Sequence, residues 1–206
     1  MFGLQLFALA LQTHHMHEAP QPSTPDLDSL FNHHLAGGLV ILVALFSYVE
    51  RTQIAERRWV RYLWPLPLLF LGVFLMMYSD NPQFWPFGFS RWLPDPAAVQ
   101  HKIFALVAIL LGLIELFRRT GRLTHPAWPH VLSVLMLGAG VFLFMHRGDH
   151  HSHVIHVEHM WMGTEAVALS LTKIVADLRP RIRWLGLYAV PALLLALGLQ
   201  LFFYVE

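Results

Sequence analysis

The densest chemistry in the chain lies in the stretch His146-Arg-Gly-Asp-His-His-Ser-His-Val-Ile-His-Val-Glu-His159. It sets six histidines (His146, His150, His151, His153, His156 and His159) and two carboxylates within fourteen residues. Imidazole is a ligand for copper, zinc, nickel and iron, and short histidine-rich tracts bind such ions. The spacing does not choose among them. A flexible polar loop that gathers metal weakly, or that senses pH because imidazole titrates near neutrality, is the alternative. A second group, His14, His15, Met16 and His17, adds a thioether to three imidazoles. Thioether sulfur is soft and favours Cu(I). With no cysteine in the chain, a metal must be held by His, Met, Asp or Glu, and thiol catalysis and disulfides are excluded.

A third set is ordered by the elements that carry it. His34, His101, His146 and His159 fall at the outer ends of four different apolar segments, so a helix bundle could gather several of them around one metal or a haem. Glu165 lies about two turns into another apolar segment. A carboxylate there is costly and is expected to face a polar interior, a cation pathway or a histidine that it orients. Glu115, next to Arg118 and Arg119, reads as an interfacial ion pair.

The elements that position these residues follow from hydropathy. With 56% hydrophobic and 13% charged residues, the composition is that of a membrane protein. A bilayer core needs about 20 mostly apolar residues in helical form. Six runs qualify, at 33–50, 62–79, 98–117, 128–146, 157–177 and 184–205. The expectation is an all-α, polytopic transmembrane bundle of about six helices arranged as three hairpins. It occupies residues 30–206, preceded by residues 1–29. In that leader an apolar stretch, a possible signal or interfacial helix, runs into a His- and Pro-rich segment. The fifth run is the weakest, because Glu158 and Glu165 interrupt it. An interfacial amphipathic helix is its alternative.

Lysine and arginine set the topology. Eleven of the fourteen fall after odd-numbered runs, among them Arg51, Arg118, Arg119, Lys173 and Arg179, and only Arg91, Lys102 and Arg147 fall on the other side. The positive-inside rule then places both termini outside the membrane, by expectation a bacterial cytoplasmic membrane. Twelve of the fourteen histidines share that outer side, only His125 and His130 lying opposite. A weak repeat accompanies this: His34 and Arg51 recur as His101 and Arg118, and Trp64-Pro65 as Trp128-Pro129. One turn below His34, His101 and His159 lie Gly38, Ala105 and Gly163, small residues of the kind that let membrane helices approach closely.

Histidines at the outer ends of apolar helices, with Met/His-rich outer segments and no soluble domain, resemble bacterial copper-resistance membrane proteins of the CopD type over roughly residues 30–178. The resemblance implies copper handling at the cytoplasmic membrane, with a periplasmic metal carrier or membrane-complex subunits as partners besides the lipid bilayer and the metal ion. The expected function is copper binding or transport at the extracytoplasmic face. Zinc is a further candidate metal. A b-type haem electron-transfer protein with two of these histidines as axial ligands is the alternative, as is a non-catalytic subunit of a membrane complex. His146-x3-His150-His151 and His156-x2-His159 loosely resemble the histidine boxes of di-iron membrane oxidases and desaturases, a resemblance that implies iron at the cytosolic face, opposite to the side expected here. A net charge of +1 without a continuous basic surface argues against nucleic acid as a partner. The chain carries no hydrolase constellation, phosphate loop or nucleotide fingerprint, so enzyme activity is not supported.

Overall fold

A computed structural model describes residues 27–54, 59–79, 93–145 and 153–205. These form six helices, α1 (Leu27–Thr52), α2 (Pro65–Tyr78), α3 (Pro96–Arg119), α4 (Trp128–Leu143), α5 (His153–Leu178) and α6 (Val190–Phe202). A single 3-10 turn, Val60–Tyr62, leads into α2, and a π-helical turn, Leu185–Ala189, leads into α6. Proline in the first turn opens α2, α3, α4 and α6, where a missing N–H costs nothing and the fixed φ suits the helix. Asp95 caps α3, its Oδ1 accepting from the Ala97 and Ala98 amides at 2.9 and 3.2 Å.

Many large apolar side chains point outward. Phe70, Val134 and Leu45 are each about half exposed or more, while many of the buried positions are held by Ala, Gly, Val and Ser beside a smaller set of Leu, aromatic and polar side chains. Four segments, Leu27–Thr52, Val60–Tyr78, Pro96–Arg119 and Leu185–Phe202, are long and apolar enough to cross a membrane, and an apolar exterior of this extent belongs against lipid. The protein is an α-helical integral membrane bundle. Between these spans, α4 is a shorter apolar helix, and α5, at 26 residues, packs between α4 and α6 despite its two glutamates.

Each helix touches its two neighbours in sequence, and α6 returns to α1, so the six form a ring. The contacts alternate between close and loose. The close pairs are α2 with α3, α4 with α5, and α6 with α1; the successive pairs α1–α2, α3–α4 and α5–α6 are the looser ones. The pairing is therefore offset by one helix from hairpins counted from the first helix.

All three close pairs are built alike. A methyl group on Gly72, Gly140 or Gly198 would meet a backbone carbonyl of the partner helix, that of Ala105 at 2.8 Å, Gly163 at 3.2 Å and Gly37 at 3.2 Å. Backbones that approach this closely gain dispersion contacts that larger residues would prevent. Gly72 to Gly140 and Gly37 to Ala105 are both 68 residues apart, and Gly140 to Gly198 and Ala105 to Gly163 both 58. The fold is thus a threefold repeat of a two-helix unit, with the repeat joined end to end by α6 and α1.

Candidate functional site

One turn before each small residue on the odd-numbered helices stands a histidine: His33 before Gly37, His101 before Ala105 and His159 before Gly163. The helix crossing therefore fixes the height of the imidazole above it, because residues four apart share a helix face. The ring closure brings the three together. The centre of the His33 ring lies 6.3 Å from that of His101 and 5.9 Å from that of His159, both edge-on. His33 donates from Nδ1 to the Ser29 carbonyl at 2.9 Å, and His159 from Nδ1 to the Ile155 carbonyl at 2.7 Å. A neutral imidazole protonated at Nδ1 carries its lone pair on Nε2, which is a metal-ligating form.

Tyr204, just beyond α6 and almost fully buried, completes the group. Its ring stacks on His33 with centres 3.9 Å apart and planes 19° from parallel, and meets His159 edge-on at 5.9 Å. Its backbone carbonyl accepts from Nε2 of His34 at 3.1 Å. His34 is exposed and lies on the flank of the group, whereas His33, its neighbour, lies at the centre.

The remaining sequence candidates fall elsewhere. His153 and His156 are exposed on the first turns of α5, above His159. His14, His15, Met16, His17, His146, His150 and His151 lie outside the described residues. Met162, buried one turn below His159, is a thioether close to the imidazoles along α5. Glu165 sits two turns down the same helix, with Oε2 buried and without a hydrogen-bond partner among the described residues. Glu158, by contrast, accepts through both its backbone carbonyl and its side-chain Oε2 from Nε2 of Gln200, at 3.2 and 3.3 Å.

The ring spacing suits a shared ion. With metal–nitrogen bonds of about 2.0–2.1 Å, two imidazoles on one ion have ring centres roughly 5 to 6.4 Å apart. Among the described residues, no group of three His, Asp or Glu side chains is arranged to hold a metal ion.

Beside the histidines, Lys102 closes the end of α2. Its ammonium donates to the carbonyls of Leu75, Met76 and Ser79 and to Oγ of Ser79, at 2.9 to 3.2 Å. The Met76 and Ser79 carbonyls lie where a helix C-terminus runs out of intrahelical donors, at the negative end of its dipole; that of Leu75 also accepts from the Ser79 amide and hydroxyl, at 3.2 and 2.6 Å. By sequence Lys102 counted against the charge bias; buried and bonded in this way, it is part of the bundle interior and carries no information about the loops.

The opposite end of the ring is basic. Fourteen residues beyond each central histidine stand Ser47, Glu115 and Lys173, all buried. Glu115 is forked by Arg118 and Arg119, each bonded at 3.1 Å. Glu50 takes another face of Arg119, and Lys173 pairs with Asp177 at 2.6 Å. The sequence signalled Glu115 as an ion pair, but at 1% exposure it is an interior one that ties α3 to α1 through Arg119 and Glu50.

His33 and Tyr204 were not singled out in the sequence. His33 stands next to His34 above two adjacent glycines, so either register fits, and Tyr204 was visible only as a polar ring at the end of an apolar run. No family model, curated protein or solved structure matches the chain.

Proposed function

We propose that this membrane protein binds copper at its histidine end, through His33, His101 and His159, with the exposed His34, His153 and His156 and the sequence-level His/Met segments serving as capture sites. The observation that carries the reading is the convergence of three imidazoles from three different helices to ring spacings of about 6 Å. Copper is favoured over zinc by Met162 one turn below His159, since thioether and imidazole together suit Cu(I). The CopD-type resemblance points the same way. Binding fits better than conduction: Ala36, Val40 and Leu71 pack into an apolar layer below the histidines, and the far end of the ring is cationic. The clustering of Arg51, Arg118, Arg119 and Arg179 at that far end supports an extracytoplasmic histidine end.

The test is elemental analysis and a visible spectrum of the purified protein. The comparison is between the wild type, the triple variant His33→Ala, His101→Ala, His159→Ala, and the control triple His34→Ala, His153→Ala, His156→Ala. Stoichiometric copper retained by the control and lost by the first variant is the expected result. A Soret band would replace copper by haem. Copper held equally by all three proteins, or by none, would remove the site.

A further inference from the structure

Inside the ring, on the basic side of the apolar layer, lies a cavity of about 530 Å³ lined by residues of all six helices. Along α1 it runs from Val40 to Gln53, about 20 Å of helix, and its volume is in the range of small-molecule sites, about 300–1,000 Å³. Its walls are divided. Toward the histidine end they are apolar, with Val43, Leu111, Leu132 and Leu169 among them, and toward the basic end they carry four cationic side chains against three carboxylates.

The three carboxylates are all taken. Glu115 and Glu50 are bound by Arg118 and Arg119, and Asp177 by Lys173. Arg51 is the cation left over. Its Nε donates to Oγ of Ser47 at 3.3 Å and one terminal nitrogen to the Gly186 carbonyl at 3.0 Å, with no carboxylate in ion-pair range among the described residues. Gly186 belongs to the π-helical turn before α6, and π-turns place carbonyls out of the regular ladder, often at functional sites. A second donor is also waiting. Trp64 lines the same cavity at 8% exposure, and its buried Nε1 has no acceptor among the described residues. Asp177 and Glu50 lie near enough to act on Arg51 but are bonded to Lys173 and Arg119; a half-buried guanidinium with no carboxylate of its own and an indole N–H without an acceptor are both costly, and an anionic oxygen would satisfy either.

We infer that this cavity is a binding site for an amphiphile with an anionic head group, carboxylate or phosphate, the head held between Arg51 and the Trp64 indole N–H and the tail lying along the Trp64 ring and the apolar walls toward the histidine end. The site is independent of the histidine end and of the copper reading. The split lining selects the ligand: a bare anion would leave the apolar walls wet, and a cationic amphiphile would meet the excess positive charge.

The experiment uses the full chain in nanodiscs of zwitterionic phosphatidylcholine, titrated with tail-brominated dodecanoate and read by tryptophan fluorescence. A saturable quenching component should appear in the wild type and vanish in Trp64→Phe, leaving only collisional quenching of the lipid-facing tryptophans. Arg51→Gln should raise the half-saturation concentration at least tenfold. Dodecyl phosphate should displace the probe, whereas dodecyltrimethylammonium and inorganic phosphate at equal concentration should not. Displacement by the cationic amphiphile, or a saturable component unchanged in Arg51→Gln, would overturn the proposal, and displacement by inorganic phosphate would overturn the role of the tail. The comparison of anionic with cationic amphiphile needs only the wild type, so it stands even where Arg51→Gln does not fold.

Discussion

The phenol ring of Tyr204 lies flat on the imidazole of His33, with centres 3.9 Å apart, and the Tyr204 carbonyl holds His34. The residue that ends α6 therefore orients both histidines of α1. Tyr204→Phe keeps the stacked face and should leave metal binding within about twofold. Tyr204→Ala removes a fully buried ring, and the loss should be about 3–5 kcal/mol, the range for large aromatic truncations. Denaturant titration in detergent gives the stability, and copper competition with a chromophoric chelator gives the affinity. A Tyr204→Ala protein as stable as wild type would show that the ring packs on nothing essential.

Lys102 is a cap made from a side chain of the neighbouring helix. Lys102→Met preserves most of the volume but takes the ammonium from the Met76 and Ser79 carbonyls at the end of α2, at about 1–3 kcal/mol for a buried group left unsatisfied. Amide exchange should rise at Leu75 to Ser79 before any global change. Unchanged exchange there would mean that water replaces the ammonium.

The close crossings make a comparison between glycines possible. Gly140→Leu places a side chain against Val167 and the Gly163 carbonyl, whereas Gly138, two residues away, has nothing within 4 Å of an added Cβ. Gly140→Leu should separate α4 from α5 and move His159, lowering both the unfolding midpoint and copper affinity. Gly138→Leu should change neither. Equal behaviour of the two variants would remove the crossing as the device that sets histidine height.

Glu115→Gln leaves two guanidinium groups sharing a neutral amide in the interior. Breaking a buried pair from one side costs about 3–5 kcal/mol, and the double variant Glu115→Gln, Arg118→Met should recover part of it. The recovery, measured as a double-mutant cycle, is the decisive quantity. Its absence would place the ion pair in water.

Much of this architecture was legible before any coordinates. The apolar runs gave the helices, because a bilayer leaves helical hydrogen bonding as the only way to satisfy the backbone. The small residues below His101 and His159 gave two of the three crossings. The third was ambiguous for a local reason. His33-His34 and Gly37-Gly38 are both doubled, and a spacing of four residues fits each pair equally. What separates them is not local: Gly37 faces the backbone of α6, while Gly38 has only the Phe202 ring at 4.0 Å. The repeat read from His34 and Arg51 has an offset of 67, one short of the 68 between Gly72 and Gly140, and one residue of register is 100° of helix rotation; that read from Trp64 is 64, four short. Pairing of α1 with α6 has no periodic signature, because it joins the most distant helices of the bundle. The cavity was equally hidden, as it depends on which arginine finds a carboxylate.

That last pairing also gives the protein a timetable. Helices α2 and α3, and then α4 and α5, meet their close partners within one loop of being synthesised. For α1 the wait is different, since Gly37 meets Gly198 only after some 160 residues have been added, roughly ten to thirty seconds at ordinary synthesis rates. During that interval the first helix sits in the membrane with an open glycine face and an unstacked His33. Arrival of α6 joins the ring, seats Tyr204 and completes the histidine group in one event, so no chain that lacks α6 presents the assembled group.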